Sequence, residues 1–494
     1  MVGGWLARHP RAARWGLLAA VSGLSLGGYL LAARLAGYSG FPLDDAWIHQ
    51  TYARSLGLYG EWAFLRGQPS AGSTAPLWSL LLAPGHTFRL GPQLWGHLMG
   101  WLALTLTAGA GAWAAARLRA ERSGAMLWVG IFLALEWHLV WAAGSGMETL
   151  LFAALTLVVL GSLLAERLDS LQVGVLIGLS MWVRPDGLTL LAPALLVIVL
   201  DPRGRVRLTE SGRLLAGFAL PALLYLAFNR AFAGAWWPNT FFAKQAEYAI
   251  YRELPLWKNL LRLGSLPLVG PGLLLLPGFA AILVRGVQKR EWGLLAGACW
   301  VIGYIIMYAL RLPVTYQYGR YLMPVMPVYM VWSLVGVALL AQPNARRAWK
   351  RVFSRVWLAA LAAALVGFWL IGARAYARDV TIIETEMVAT ARWVAANTPT
   401  EALVAAHDIG ALGYFGERRL LDLAGLVSPE VIPFIRDEAR LASYLDQQRA
   451  QYLVTFPGWY PELVQRGELL YISGSTASPE AGGENMAVYH WHPR

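Results

Sequence analysis

Residues 15–54 read WGLLAAVSGLSLGGYLLAARLAGYSGFPLDDAWIHQTYAR. The stretch opens with an apolar run, 15–36, and a helix needs roughly 20 predominantly apolar residues to cross a bilayer. Eight residues past that run stand two adjacent carboxylates, Asp44 and Asp45, at the start of a predicted helix that carries His49, Tyr52 and Arg54. An apolar span that delivers an acid pair to the edge of a membrane sets the frame for the rest of the chain.

The whole composition agrees with it. Of 494 residues, 57% are hydrophobic and 14% charged, and the mean hydropathy is +0.47. A soluble domain carries about a quarter charged residues, so much of this surface does not face water. The 24 Trp and 20 Tyr suit the aromatic belts at membrane–water boundaries. A soluble enzyme, a disordered chain and a nucleic-acid binder are excluded: the net charge of +12 is spread between apolar runs and forms no single basic face. The basic stretch 1–14 precedes a run that is long enough to span and has no cleavage site, so no cleavable signal peptide is expected. The single cysteine, Cys299, lies in the apolar run 294–310 and reads as a buried, inert thiol.

Apolar runs predict about eleven spans: 15–36, 93–116, 125–143, 149–165, 171–183, 187–200, 214–232, 262–284, 293–310, 322–340 and 356–374. A shorter run, 76–88, is interrupted by Pro84 and Gly85 and reads as a re-entrant or surface-lying helix. With the N-terminus in the cytoplasm, the inner segments hold Arg8, Arg11, Arg14; Arg117, Arg119, Arg122; Arg167; Arg203, Arg205, Arg207, Arg213; Arg285, Lys289, Arg290; and Arg346, Arg347, Lys350, Arg351, Arg355. This asymmetry follows the positive-inside rule. It divides the chain into a mainly α, polytopic membrane domain, 1–374, and an extracytoplasmic domain, 375–494. The latter has nine Arg against fifteen Asp and Glu and no apolar run long enough to span. Its pattern predicts a small α/β unit: helix 381–397, strand 403–407, helix 440–451 and strands 452–456, 469–473 and 486–491.

The acid pair carries the chemistry. One Asp would cap a helix, but two adjacent carboxylates repel each other, and one can hold a raised pKa suited to a general base. The loop that follows, Pro69-Ser-Ala-Gly-Ser-Thr-Ala-Pro-Leu-Trp78, offers small hydroxyl residues, Thr74 among them, to a sugar. Polar groups recur at the other predicted outer helix ends: Glu148, the ion pair Arg184 and Asp186, Lys244, and Tyr318 with Arg320. Ionisable groups at membrane depth are costly and so point to function. Arginines beside a lipid surface suit a phosphate. Glu136 and His138 read as packing groups. A divalent cation could sit at Asp44 and Asp45, although two carboxylates do not complete a site, and the metal requirement stays open. The chain has neither a phosphate-binding Gly-x-x-x-x-Gly-Lys-Ser/Thr loop nor a His-Glu-x-x-His motif. A phosphate-linked substrate without nucleotide machinery implies a lipid-carried donor.

Several motifs then carry a resemblance: Asp44-Asp45-Ala-Trp-Ile with Tyr52-Ala-Arg54, Thr74-Ala-Pro-Leu-Trp78, Gly146-Met-Glu-Thr149, Arg184-Pro-Asp-Gly187, Pro238-Asn-Thr-Phe-Phe-Ala-Lys244 and Arg320-Tyr-Leu-Met-Pro324. His407-Asp-Ile-Gly410 and Asp422-Leu-Ala-Gly-Leu-Val-Ser-Pro429 extend it into the outer domain. In these the chain resembles the GT-C superfamily of polyprenyl-phosphate-dependent glycosyltransferases, and most of all relatives of the mycobacterial terminal arabinofuranosyltransferase. It departs at Ala71-Gly-Ser-Thr74, where that family has an acid and an aromatic residue. The resemblance implies an inverting transfer from a polyprenyl-phosphate sugar to a glycan or lipid acceptor in the cell envelope, outside a bacterial plasma membrane. Asp44 or Asp45 would act as base. Arg184, Lys244 or Arg320 would hold the phosphate with help from Arg54, and His407 and Asp408 would shape the acceptor cleft. Two other classes fit an acid-lined membrane protein: a flippase for a polyprenyl-linked sugar, and a non-catalytic glycan-binding subunit. A flippase needs charges along a whole path, whereas these gather at one end.

Overall fold

The computed structural model describes residues 10–119, 125–165, 168–200 and 207–492. Arg8, Arg122, Arg167, Arg203 and Arg205, which belong to the charge argument, lie outside them. The helices run α1 (Pro10–Leu35), α2 (Asp45–Tyr59), α3 (Pro76–Thr87), α4 (Pro92–Arg119), α5 (Leu127–Leu135), α6 (Trp137–Gly144), α7 (Thr149–Ser162), α8 (Ser170–Val183) and α9 (Leu191–Leu200). They continue as α10 (Arg207–Ala233), α11 (Asn239–Glu247), α12 (Leu256–Gly264), α13 (Pro271–Lys289), α14 (Trp292–Arg311), α15 (Val325–Leu340), α16 (Ala348–Ile383), α17 (Ala389–Asn397) and α18 (Glu438–Gln448).

Apolar runs become helices because a bilayer core has no water to satisfy backbone N–H and C=O groups. Among the described residues, six helices are long and apolar enough to cross a membrane: α1, α4, α10, α13, α14 and the rod that begins with α16. The bent pair α5 and α6 would make a seventh. Four shorter apolar helices, α7, α8, the run 185–200 that ends in α9, and α15, stand at the remaining expected positions.

The bundle is packed through small residues, as helices in lipid commonly are. A Cβ on Gly174 would stand 2.1 Å from the Leu214 carbonyl oxygen, and one on Gly217 would stand 2.2 Å from that of Leu171, so α8 and α10 cross in direct backbone contact.

Three local readings change. The expected straight span 125–143 is broken at Glu136 by 63°. The buried Glu136 carboxylate accepts the Leu139 N–H at 3.1 Å and pairs with His138 Nδ1 at 2.8 Å, which satisfies the break inside the protein. Cys299 is exposed, because helical periodicity turns it away from the buried Ala296, Trp300 and Tyr304. The predicted helix 381–397 is no separate element. It continues α16 through a π-helical turn (Glu384–Val388) into α17, making a 50-residue rod that passes 374/375 without a break.

That rod carries a five-stranded sheet, β3 (Leu403–Ala406), β4 (Arg419–Asp422), β5 (Tyr452–Thr455), β6 (Gly467–Ile472) and β7 (Ala487–Trp491), in the order β4-β3-β5-β7-β6. A short hairpin, β1 (Ala63–Leu65) with β2 (Gln68–Pro69), follows α2. Strand β3 is parallel to β4 and β5, while β7 is antiparallel to β5 and β6. One side of the sheet packs against α18 through Leu441 and Leu445. The other joins Val404, Ile409 and Leu412 to Ala46, Trp47, Ile48 and Tyr52 of α2 in one apolar cluster. The indole of Trp47 lies against Tyr414 and Phe415, with ring centroids 4.9 and 4.6 Å away. The helix that opens with the acid pair is therefore buried beneath the C-terminal domain.

Candidate active site

The two acids have different surroundings. Asp44 precedes α2, and both its carboxylate oxygens accept backbone N–H groups from the C-terminal domain, Gly410 and Ala411, each at 2.7 Å. Burial first, then the nearby Asp408 carboxylate, pushes Asp44 up to about 8 despite those donors. Asp45 faces the other way, into a cavity of about 410 Å³, with its Oδ2 2.5 Å from Arg320 Nη2. Burial would raise its pKa, but Arg320 and Lys244 outweigh that and hold the carboxyl below its ordinary value.

The cavity gathers Asp45, His49, Thr74, Glu148, Arg184, Asp186, Lys244 and Arg320 from loops and helix ends far apart in sequence. Arg184 donates from Nε to Asp186 at 3.1 Å and from Nη1 to Glu148 at 3.2 Å. Tyr304 and Tyr308 donate to the same Asp186 oxygen at 3.0 and 2.7 Å. His49 lies between the Ser79 and Ser73 hydroxyls on Nδ1, at 3.1 and 3.2 Å, and Glu148 on Nε2, at 3.5 Å. Burial lowers its pKa, which favours the neutral ring. The hydroxyl of Tyr52 accepts the Gly72 N–H at 2.8 Å and so fixes the loop that brings Thr74 to the wall.

Arg320 is placed by a strained turn. Gln317 and Tyr318, neither of them glycine, have φ of 52° and 59°, a conformation held only where the surroundings over-determine it. While Nη2 of Arg320 engages Asp45, its Nη1 is buried with no hydrogen-bond partner among the described residues. An unmet guanidinium donor at a cavity wall fits an oxyanion.

Other predicted site residues lie outside the cavity lining. Arg54 donates to the carbonyls of Tyr414 and Gly413 at 2.8 and 3.1 Å and stacks on the Tyr414 ring, so it ties α2 to the C-terminal domain. Tyr318 points to Asp379, to which its hydroxyl donates at 3.3 Å. His407 stands behind the wall, with Nε2 3.3 Å from Glu247 Oε1, while Lys244 binds Glu247 Oε2 at 3.1 Å. Burial would lower the His407 pKa, but the Glu247 carboxylate raises it above the ordinary value. Asp408, half-buried nearby, is pushed up to about 6 by burial, against the pull of His407. Glu247 was not singled out from the sequence, although its position three residues after Lys244 on α11 is the spacing of a helical ion pair.

The partners that the two acids have here are backbone and cationic groups. Both oxygens of Asp44 are taken by backbone donors, and guanidinium and ammonium groups face Asp45. Among the described residues no three His, Cys, Asp or Glu converge as metal ligands.

Taken together, the fold is that of GT-C membrane glycosyltransferases, a helical bundle with a small C-terminal sheet domain. It matches ArnT from Cupriavidus metallidurans bound to undecaprenyl phosphate, with a TM-score of 0.63 and 16% identity over 97% of this chain and 99% of that one. It also matches the archaeal oligosaccharyltransferase AglB from Archaeoglobus fulgidus, in complex with an inhibitory peptide and a dolichol-phosphate (TM-score 0.56, 12% identity, 92% and 70% coverage). A third match is the arabinofuranosyltransferase AftD from Mycobacteria (TM-score 0.52, 16% identity), in which 96% of this chain covers 41% of that one. At these identities the likeness is one of fold. A domain family of unknown function, DUF8728, matches residues 375–489. Sequence comparison with curated proteins finds no match.

Proposed function

We propose that the protein is a membrane glycosyltransferase that moves a sugar from a polyprenyl-phosphate donor to a glycan or lipid acceptor of the cell envelope. The reaction takes place on the outer face of a bacterial plasma membrane, with the N-terminus in the cytoplasm. The observation that carries this reading is the pairing of the Asp45 carboxylate with Arg320, whose second nitrogen remains an unmet donor, on one cavity wall with Lys244 and Arg184. A carboxylate that stays ionised can accept the acceptor's hydroxyl proton as that oxygen attacks the anomeric carbon. The bond from this carbon to the phosphate oxygen breaks, its electron pair stays on the phosphate, and the configuration inverts. Fixed cations at the departing phosphate stabilise charge that grows in the transition state. The likeness to proteins solved with undecaprenyl phosphate and dolichol-phosphate supports a donor of that class. Arabinofuranose is the sugar favoured by the motifs and by the likeness to AftD.

The test is labelled-sugar transfer by the purified full-length chain from a panel of polyprenyl-phosphate sugars. Transfer from one donor by the natural chain, lost in Asp45→Asn, supports the reading; no transfer from any donor counts against it.

A further inference from the structure

A second cleft, about 1150 Å³ in volume, opens at the same end of the bundle, between the ends of α1 and α16 and the C-terminal-domain loop 473–481. Its residues differ from those of the catalytic cavity. Along the α16–α17 rod, Arg374, Arg378, Thr381, Thr385 and Arg392 all line it. Their spacing of four, three, four and seven residues puts them on one helical face. Facing them, Ser475 and Thr476 bring hydroxyls, and Gly474 turns the loop with a φ of 69°. On the third side the small Ala32 and Ala36 leave room, and Tyr38 supplies a half-exposed ring.

The surface next to this cleft is apolar. On α1, Leu31 and Leu35 are 56% and 81% exposed, and on α16 Leu370 and Ile371 are 55% and 53% exposed. These belong to runs apolar enough to cross a membrane. Three guanidiniums and a set of hydroxyls above a lipid-facing apolar surface match an amphiphile whose tails lie against α1 and α16. Guanidiniums grip phosphate oxygens with paired N–H groups. Two acids also line the cleft, Glu384 and Glu480. Glu384 packs inward, with Oε1 2.1 Å from where a Cβ on Gly40 would stand. Arg374 is exposed and has no ion pair or hydrogen-bond partner among the described residues, while Arg378 donates to the Tyr318 hydroxyl at 3.2 Å and has its Nε 3.7 Å from Asp379 Oδ1.

We propose that this cleft is a binding site for the net-anionic phosphate headgroup of a membrane lipid, held by Arg374, Arg378 and Arg392 and separate from the catalytic cavity. The two sites share a wall: Tyr318 donates to Asp379, and so does the indole of Trp141, which lines the catalytic cavity, at 3.0 Å.

The experiment offers phosphatidylglycerol and phosphatidylcholine at equal concentration to the full-length chain in mixed micelles and counts retained lipid by native mass spectrometry. Both headgroups carry a phosphate, but the choline ammonium of phosphatidylcholine is repelled by the three guanidiniums, so about a tenfold preference for phosphatidylglycerol is expected, lost when Arg374, Arg378 and Arg392 are all replaced by Gln. If that triple variant does not fold, the exposed Arg374→Gln should by itself reduce retention severalfold. Equal retention of the two lipids by the natural chain, or a preference unchanged in the variants, overturns the proposal. Displacement of the lipid by millimolar inorganic phosphate also overturns it, because the cleft would then read a free anion. The assay counts bound lipid and no sugar transfer, so its failure is distinct from failure of the transferase reading.

Discussion

The carboxylate of Asp44 accepts the backbone N–H of Gly410 at 2.7 Å across 366 residues of sequence, which makes the first acid of the pair a clasp for the C-terminal domain. Gly410 has no room for a side chain: a Cβ there would stand 2.1 Å from the Asp44 carbonyl oxygen and 2.6 Å from its Oδ2. The carbonyl is backbone and cannot swing aside. Gly410→Ala should therefore lower the thermal midpoint of the solubilised chain and speed proteolytic release of the C-terminal domain. Above about pH 8, where Asp44 is ionised and both its oxygens accept, Asp44→Asn should do the same at a cost of about 1–3 kcal/mol, because the amide N–H opposes one of the two backbone donors. Midpoints equal to that of the natural chain in both variants would remove the clasp.

In the proposed reaction Asp45 is the base. Asp45→Asn should reduce transfer by ~10²–10⁴-fold, the usual worth of a general base, with a smaller effect on the midpoint than Asp44→Asn. Because Arg320 and Lys244 hold its carboxyl below the ordinary range, the base stays charged throughout neutral pH. The acid limb of kcat/KM that belongs to Asp45 should then fall below about pH 4. Near-full activity in Asp45→Asn would refute this assignment.

His407 gives a pH observable away from the reacting atoms. Its raised pKa depends on Glu247, since burial works in the opposite direction. The stabilisation from this pair is fully present below the ordinary imidazole value near 6.5 and is lost as the pH rises through the higher folded value. Carbon-13 NMR of labelled histidine should show His407 titrating above 6.5 in the natural chain and below it in Glu247→Gln. Titration unchanged by that substitution would uncouple the two residues.

The membrane helices were legible because a bilayer demands apolar runs of a set length, and the acid pair because ionisable groups beside such runs are scarce. Arg184 with Asp186 could be read as a pair from their neighbouring positions. The division of labour between Asp44 and Asp45 could not, since it is set by Gly410 and Ala411, which only the folded C-terminal domain brings near. Arg54 and Tyr318 carried polar chemistry in the right motifs, yet tertiary contacts with Tyr414 and Asp379 turn them from the cavity. The break at Glu136 was hidden because Leu127–Leu135 and Trp137–Gly144 are both apolar and composition carries no angle. Strand β4 was missed because Arg419–Asp422 is short and runs directly into the loop of the Asp422 motif.

The charge asymmetry predicts a topology that can be read without any activity. A reporter fused near Arg347 should be active in the cytoplasm, and one fused at Arg494 should be active outside. The reverse result at both sites would move the Asp45 cavity to the cytoplasmic face and exclude the proposed acceptor.

Arg320 decides whether the cavity grips a departing phosphate. Its Nη2 is engaged by Asp45, and its Nη1 is buried without a partner among the described residues. A substrate phosphate would meet that unmet donor, and the interaction strengthens as the glycosidic bond breaks, so it favours the transition state over the ground state. Arg320→Ala should lower kcat more than it raises the donor KM, by roughly 10²-fold or more if this donor acts like an oxyanion-hole group. Arg320→Lys should restore activity only in part: an ammonium keeps the charge but cannot reach Asp45 and the phosphate with one planar fork. Lys244, whose ammonium is tied to Glu247 at 3.1 Å, should show a milder split in Lys244→Ala. The measurement is a donor titration of all three variants in lipid nanodiscs. A donor KM that rises while kcat holds would show that Arg320 binds the ground state alone, and Arg184 would then be the cation to test at the leaving oxygen.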